Sequence, residues 1–427
     1  MDAILLLGSL FVLIAIGVPV AYALGAAALI GAFWIDIPLE AVMLKISDGI
    51  SKFSLLAIPF FVLAGAIMAE GGMARRLIAF ANVFVGSIRG GLALVNIFAS
   101  GLFGCISGSS VADTSSIGSV MIPQMEKAGY PRVFATNVTI AGSVQAILIP
   151  PSHNAVIYAL AVGGSVSIGH LLVAGFLPGV LLGSSLAILV LIISYKEGYP
   201  KSQAIPFREA VKAAVEALWG LVTMIIITGG IVGGIFTATE AAAVACVWAF
   251  LVTMFIYRDY RWRDLHLLVH RTMKTVGMVM MLIAFASSFG YIMALMQLPA
   301  HVTSFFLTVS DNKYVILFMI NILLLFLGTL MDMAPLILIC APILLPVVQT
   351  FGVDPVHFGV IMLVNLGIGL ITPPVGSVLF VGCAVAKLSI EQVTRKIWPF
   401  YVAMFIVLML VTYIPAISIW LPKLIVD

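Results

Sequence analysis

Two short polar stretches within strongly apolar surroundings decide how this chain folds. The first reads Gly104-Cys-Ile-Ser-Gly-Ser-Ser-Val-Ala-Asp-Thr114, and the second reads Ile149-Pro-Pro-Ser-His-Asn154. Paired prolines break a helix, because the ring removes an amide donor and clashes with the preceding turn. At membrane depth, such non-helical backbone persists only where protein or a watery cavity satisfies its polar groups. The two interruptions therefore predict a binding site between discontinuous helices.

The composition explains why these stretches are placed at membrane depth. Of the 427 residues, 63% are hydrophobic and only 9% are charged, which is too few charges to cover a soluble protein of this length. The apolar runs exceed the roughly 20 residues that a helix needs to cross a bilayer, and they lack the short alternating pattern of an outer-membrane barrel. The chain is thus predicted to be an all-α polytopic protein of the lipid bilayer. Its first apolar segment is interpreted as a retained span.

Several kinds of chemistry find no support in the sequence. The net charge of +3 comes without the basic tract of a nucleic-acid-binding protein. A glycine-rich phosphate loop is absent, so no direct use of ATP is expected, and no zinc-protease or nucleophile motif indicates an enzyme. The cysteines lack metal-ligand spacing, so no transition metal is expected. They are Cys105, Cys246, Cys340 and Cys383.

Polar segments divide the chain into parts. The polar linker 196–216 separates two halves of similar length. Residues 258–274 are basic and aromatic, which is typical of an amphipathic helix at the membrane interface, and both segments are placed on the cytoplasmic side. The predicted parts are helices over residues 1–90, a hairpin and a broken helix over 91–195, the linker 196–216, helices over 217–316, and a second hairpin, broken helix and terminal helix over 317–427.

The two halves contain an internal repeat. Asp113 precedes Pro123 by ten residues, and Asp332 precedes Pro342 by the same spacing. Paired interrupted segments in corresponding positions of two halves indicate the binding site of a secondary transporter. Half-helix N-termini suit a carboxylate, and unwound carbonyls suit Na⁺. Further pairs in the same order are Asn96 with Asn321, Gly104 with Gly328, Pro150-Pro151 with Pro373-Pro374, Ser167 with Ser389, and Pro178 with Pro399.

Polar residues of the first copy are candidates for binding a substrate. Asp113 and Asp332 are ionisable residues in apolar segments, which by default indicates function, although either could merely cap a wet helix end. The hydroxyls around Asp113 could bind a carboxylate or a polyol, or could bond their own helix. His153 is expected to be a structural hydrogen-bonding residue, and Glu240 a helix cap or a lock between domains. The second copy is less polar, so its backbone carbonyls favour a hard cation.

These motifs resemble the large membrane subunit of tripartite ATP-independent periplasmic (TRAP) transporters, over essentially the whole chain. Asp113 and the run that ends at Asn154 are most similar to the sialic acid branch, although many relatives have small residues in place of Asp113. The motifs that carry the resemblance are Ser107-Gly-Ser-Ser110, Gly118-Ser-Val-Met-Ile-Pro-Gln-Met-Glu-Lys-Ala-Gly-Tyr130, Ile149-Pro-Pro-Ser152, Gly328-Thr-Leu-Met-Asp332 and Thr372-Pro-Pro-Val-Gly376.

The resemblance implies an elevator-type, Na⁺-coupled importer of an organic acid, such as sialic acid (N-acetylneuraminate), in the bacterial inner membrane. Residues 1–90 and 217–316 would form a scaffold around a transport domain. That domain would consist of inverted repeats, 91–195 and 317–427, with two helical hairpins and two Pro-Pro-broken helices. The implied partners are a small TRAP membrane subunit and a soluble periplasmic substrate-binding protein.

The resemblance also assigns roles to residues of the two copies. Na⁺ would lie where each hairpin tip meets a Pro-Pro break, and the substrate would lie in the first copy. The implied substrate-binding residues are Ser109, Ser110, Asp113, Ser152 and Asn154. The implied Na⁺ ligands are Ser107, Gly108, Gly142 and Pro150 in the first copy and Gly328, Thr329, Asp332, Gly367, Gly369 and Thr372 in the second.

Three alternatives stay open at this point. A single-component Na⁺/organic-anion symporter of the same architecture would transport without a soluble protein. An intramembrane aspartyl protease would use Asp113 and Asp332 as its catalytic pair. A passive channel would not show saturable uptake coupled to a gradient.

Overall fold

The computed structural model describes residues 2–201 and 205–425, and the regular elements of this part are helices. Seven of them are long and apolar enough to cross a membrane, and the number rises to nine if each of two bent helix pairs is one span. The predicted all-α polytopic fold is therefore confirmed.

The helices before the linker fall into a first group and a first repeat. The first group comprises α1 (Asp2–Ala15), α2 (Val20–Trp34), α3 (Leu39–Ile50), a 3₁₀ turn (Phe53–Leu56), α4 (Ala57–Glu70) and α5 (Met73–Val85). The first repeat comprises α6 (Gly91–Ser107), α7 (Ser110–Lys127), α8 (Arg132–Ser143), α9 (Gln145–Leu148), α10 (His153–Ala161) and α11 (Ile168–Glu197).

The second half has the same construction. Its first group comprises α12 (Phe207–Met224), a π turn (Ile225–Gly229), α13 (Gly230–Val232), α14 (Ala238–Leu251), a π turn (Val252–Tyr257), a 3₁₀ turn (Trp262–Asp264), α15 (Leu265–Leu295) and α16 (Leu298–Val309). The second repeat comprises α17 (Lys313–Leu330), α18 (Met333–Thr350), α19 (Pro355–Gly369), α20 (Ser377–Ala386), α21 (Ile390–Thr394), α22 (Trp398–Tyr413) and α23 (Ala416–Ile425).

Each repeat contains the predicted hairpin and broken helix. The hairpins are α6–α7 and α17–α18. The first broken helix bends by 50° between its two halves, on either side of Pro150-Pro151. In the second, the backbone leaves the helical conformation from Leu370 to Gly376, around Pro373-Pro374. The prolines thus divide both helices where the sequence predicts.

The two repeats run in opposite directions. The Tyr158 hydroxyl, near the end of α10, donates to the carbonyl of Pro355 at the start of α19 over 2.8 Å. Conversely, the Asn137 side-chain amide, near the start of α8, donates to the carbonyl of Val393 beyond α20 over 3.3 Å. The start of each broken helix therefore lies beside the far end of the other, which is the geometry of inverted repeats.

The structure corrects one part of the predicted alignment between the copies. Ser109 is the N-cap of α7 and Asp332 is the N-cap of α18, and both of these helices have 18 residues. Asp332 therefore corresponds to Ser109, not to Asp113, and the proline that corresponds to Pro123 is Pro346, not Pro342. The shared ten-residue spacing was coincidental, because two prolines lie one helical turn apart in α18.

The basic segment 258–274 is not a separate helix. Its second part is the beginning of the 31-residue helix α15, and its first part is a turn held by ion pairs. Arg76, after the α4–α5 turn, contacts the Asp259 carboxylate at 2.6 Å, and its guanidinium lies 3.7 Å from the centre of the Tyr257 ring. A short segment outside the spans is thus fastened to the first group of helices.

Candidate functional site

The first hairpin lies directly against the first Pro-Pro break. Gly108, at the hairpin tip, has a left-handed backbone (φ +57°), and a Cβ placed on it would collide with the carbonyl oxygen of Pro151. One turn earlier, a Cβ on Gly104 would lie 2.6 Å from the Cα of Ala146. Backbone meets backbone here because glycine has no side chain to separate them.

Two serine-capped helix N-termini flank this junction. The Ser109 side chain accepts a hydrogen bond from the Ala112 amide at the start of α7. The Ser152 side chain does the same for the Ala155 amide at the start of α10. Each cap uses only an acceptor position, so both hydroxyl protons stay available to an anion. The partial positive charge of the two helix ends favours a carboxylate at the same place.

The predicted substrate residues differ in their access to the junction. Ser109 is half-buried, whereas Ser110, Ser152 and Asn154 are buried. Asp113 lies one turn further along α7 and is completely buried. Ser109 and Ser152 therefore flank the junction itself, and Asp113 lies behind it within the hairpin.

The second hairpin meets the second break in the same way. A Cβ on Gly369 would lie 2.7 Å from the Cα of Gly328, so α17 and α19 touch through backbone atoms. The Val375 amide donates to the Thr329 carbonyl over 3.0 Å. The Ser377 hydroxyl donates to the exposed Asp332 carboxylate over 3.2 Å. The hairpin tip and the break are thus joined by hydrogen bonds in this copy.

Other predicted cation ligands occupy varied places around the two junctions. Ser107, Gly108 and Pro150 lie at the first junction, where Ser107 and Pro150 are buried. Gly142 faces the middle of α6, where a Cβ on it would lie 3.6 Å from the Ser100 hydroxyl.

Two more predicted cation ligands belong to the second broken helix. A Cβ on Gly367 would lie 2.9 Å from the Val144 side chain, which brings the two broken helices into contact. Thr372, beside the second junction, already donates its hydroxyl to the Ile368 carbonyl over 2.7 Å. Its hydroxyl oxygen keeps a lone pair that could face a cation.

Two polar residues near these sites are absent from the predicted set. Ser100 is completely buried in α6, and its hydroxyl forms no hydrogen bond with the described residues. Ser377 contacts Asp332 across the second junction. A signal for Ser100 exists in the sequence, because it is an isolated hydroxyl in an otherwise apolar run. Ser377 follows a glycine turn and gives no such signal.

Comparisons with known proteins identify the family. Residues 7–417 match the family described as "Tripartite ATP-independent periplasmic transporter, DctM component". The chain is 38% identical to the C4-dicarboxylate TRAP transporter large permease protein DctM of Rhodobacter capsulatus, over 99% of both chains. It is 41% identical to the sialic acid TRAP transporter large permease protein SiaM of Vibrio cholerae, over 88% of both chains. The chain belongs to the TRAP family of large membrane subunits.

The fold of this TRAP subunit is similar to that of a solved transporter. The crystal structure of YdaH from Alcanivorax borkumensis superposes with a TM-score of 0.63 over 88% of each chain, at 14% sequence identity. At this identity the likeness concerns the fold alone.

Family membership decides between a transporter and an intramembrane aspartyl protease. TRAP large subunits are transporter permeases and not enzymes, so the aspartyl protease alternative is wrong. The structure gives a physical reason, because Asp113 is sealed inside one hairpin while Asp332 is exposed at the tip of the other. Such permeases work with a small membrane subunit and a periplasmic binding protein. The partner classes implied by the sequence motifs therefore hold for this TRAP subunit.

Proposed function

We propose that this TRAP subunit carries an organic acid across the bacterial inner membrane, with Na⁺ as the coupling ion and without ATP. The observation that supports this best is the backbone-to-backbone contact between hairpin and break in both inverted repeats. Unwound carbonyls and helix ends at such junctions are suited to hold cations beside an anionic ligand. The substrate is delivered by a periplasmic binding protein, and sialic acid is the first candidate to test.

The substrate carboxylate would lie at the first junction, between the N-termini of α7 and α10. Ser109 and Ser152 would donate their hydroxyl protons to it, since both cap hydrogen bonds leave those protons unused. Ser110 and Asn154 are the neighbouring polar groups that could bind the hydroxyl or amide groups of a sugar acid. Asp113, also predicted to bind substrate, is sealed one turn behind this position.

The coupling Na⁺ ions would lie at the two junctions. In the first, the oxygen atoms would come from Ser107, Gly108 and Pro150, with Gly142 close by on α8, facing the middle of α6. In the second, they come from Gly328, Thr329, Asp332, Gly367, Gly369 and Thr372. Oxygen atoms are the ligands that hard cations prefer. The Asp332 carboxylate would neutralise the cation at the second junction.

An elevator motion would move the two repeats against the scaffold. The supporting observation is a cavity of about 240 Å³ between these parts. One wall comes from scaffold residues that include Lys52, Leu55 and Gly290, and the other from transport residues that include Ala161 and Leu338. An incompletely filled contact surface is easier to slide than a close-packed one.

Uptake into proteoliposomes tests the proposal. Vesicles would contain this chain with its small membrane partner, and the binding protein with labelled sialic acid would be outside. We expect uptake under an inward Na⁺ gradient and none when K⁺ of equal strength replaces it. Uptake that persists without binding protein would instead support a single-component symporter. Equal uptake in both salts would contradict Na⁺ coupling, and failure with a whole panel of organic acids would contradict the transport proposal.

A further inference from the structure

The Asp113 carboxyl group is buried without a partner. Its side chain has no solvent exposure, and neither carboxylate oxygen forms a hydrogen bond within the described chain. An unpaired charge in such surroundings is costly, because the protein interior replaces water without solvating the ion. Ionisable residues inside membrane segments are usually functional for this reason.

Three hydroxyl groups near this carboxylate also lack a hydrogen-bond partner among the described residues. Ser110 and Thr114 share the buried face of α7 with Asp113, at helical spacing. Ser100, on the facing helix α6, lies close to the Asp113 carboxyl group, although the two form no hydrogen bond. All three hydroxyl oxygens are buried and unpartnered.

Two further helices, α8 and α20, supply walls of this site. A Cβ on Gly142 of α8 would lie 3.6 Å from the Ser100 oxygen, so the missing side chain leaves room beside that hydroxyl. On the other side, a Cβ on Gly382 of α20 would lie 3.5 Å from the Thr114 methyl group. The second repeat thus closes the site that the first repeat forms.

We propose that Asp113, Ser100, Ser110 and Thr114 form a Na⁺ site inside the first hairpin. One carboxylate and three hydroxyls supply only oxygen atoms, which suits a hard cation, and the single negative charge balances a monovalent ion. A proton would neutralise the charge but would engage only one carboxylate oxygen. Na⁺ can use lone pairs on all the unpartnered oxygens at once. The position of Asp113 in the first turn of α7 stabilises a carboxylate only partly.

This site would couple the cation to the shape of the hairpin. Ser100 belongs to one arm and Asp113 to the other, so a shared cation draws the two arms together. The arms end at Ser107 and Ser109, which flank the junction with the first Pro-Pro break. Na⁺ binding would therefore hold the hairpin tip in place before the substrate arrives. The coupling role rests on the proposed Na⁺-driven uptake, whereas the binding itself does not.

Direct counting of bound Na⁺ tests the site without transport. The purified complex of this chain and its small partner, without substrate or binding protein, would be titrated with ²²Na⁺ at constant ionic strength in choline chloride. We expect Asp113→Asn to bind one Na⁺ fewer than the wild type. Ser100→Ala and Thr114→Val should retain the site and weaken it about tenfold, as each removes one neutral ligand. Glu126→Gln, an exposed acid on the same helix, should bind Na⁺ like the wild type.

The possible results separate this site from the uptake proposal. Unchanged ²²Na⁺ stoichiometry in a folded Asp113→Asn variant would overturn the site, even if uptake proves to be Na⁺-driven. A thermal stability of the wild type that responds to pH but not to Na⁺, and that loses this response in Asp113→Asn, would assign the position to a proton and also overturn it. If Asp113→Asn fails to fold, the Ser100→Ala and Thr114→Val titrations decide, since wild-type affinity in both would contradict the site.

Discussion

Gly108 shows how much of the proposed site depends on one missing side chain. Replacing it with alanine would strain the left-handed backbone by about 1–2 kcal/mol and would drive a methyl group into the Pro151 carbonyl oxygen. The hairpin tip would move away from the break and disturb both the cation and the substrate positions. We expect Na⁺-dependent uptake by Gly108→Ala to fall by more than tenfold in proteoliposomes.

Gly129 provides the matched control for that variant. It also has a left-handed backbone (φ +93°), but a Cβ on it would meet no atom within 4 Å. Gly129→Ala therefore carries the backbone strain without the collision, and it should retain uptake close to that of the wild type. Equal losses in the two variants would show that strain, and not contact with the break, explains the effect.

Single residues also show where sequence reasoning reaches its limit. The residues at the first hairpin tip could be predicted, because a cluster of glycine and serine within an apolar run favours a break in the helix. The depth of Asp113 could not, since one helical turn separates a junction residue from a sealed one and no periodic pattern marks the difference. Ser100 stands out in the sequence as an isolated hydroxyl, but its role could not be predicted, because that role depends on a carboxylate from another helix.

At the scale of elements, buried amides connect each hairpin to its broken helix. In the second repeat, the Asn365 side chain of α19 donates to both the backbone and side-chain oxygens of Asn321 on α17, over 2.9 and 2.8 Å. In the first repeat, the Asn96 side chain of α6 donates to the Thr139 hydroxyl on α8 over 2.7 Å. Polar links of this kind fix the register between helices that otherwise present only apolar surfaces.

Removing the link between Asn365 and Asn321 in the second repeat should lower stability measurably. Asn365→Ala leaves two buried oxygens of Asn321 without this donor, at a cost of about 1–3 kcal/mol. We expect a lower melting temperature for the purified complex in detergent. Asn321→Ala also removes the hydrogen bond that the Asn321 amide donates to the Thr412 hydroxyl over 3.0 Å, so it should lower the melting temperature at least as much. The double variant should lower it by less than the sum of the two single losses, because the residues share one interaction. Strictly additive losses would contradict a direct link.

The correction of the repeat alignment belongs to the same scale. The order of matching features along the two halves was enough to predict two hairpins and two broken helices. It was not enough to align them residue by residue, because α18 contains both Pro342 and Pro346 and only one keeps the spacing from the N-cap. Helix caps, which structure reveals directly, set the register that prolines left ambiguous.

For the whole molecule, composition and apolar run lengths predicted a helical membrane protein, and the motifs predicted its family. Neither could show that the two broken helices lie side by side, or that a cavity remains between the first groups of helices and the repeats. Those features arise from contacts between residues far apart in the chain, such as Tyr158 with Pro355. Long-range packing of this kind leaves no local pattern in the sequence.

The proposed elevator motion makes a prediction about cross-linking across that cavity. Ala161 on the transport side and Gly290 on the scaffold side both line it, and a Cβ on Gly290 would meet no atom within 4 Å. In a cysteine-free background, we expect Ala161→Cys with Gly290→Cys to lose uptake when a bifunctional maleimide joins them, because the two parts can no longer slide. The pair Leu55→Cys with Gly290→Cys lies entirely on the scaffold side and should keep its uptake after the same treatment. Full cross-linking of the first pair with undiminished uptake would exclude a sliding motion at this surface and would require the substrate to cross by movements within the repeats themselves.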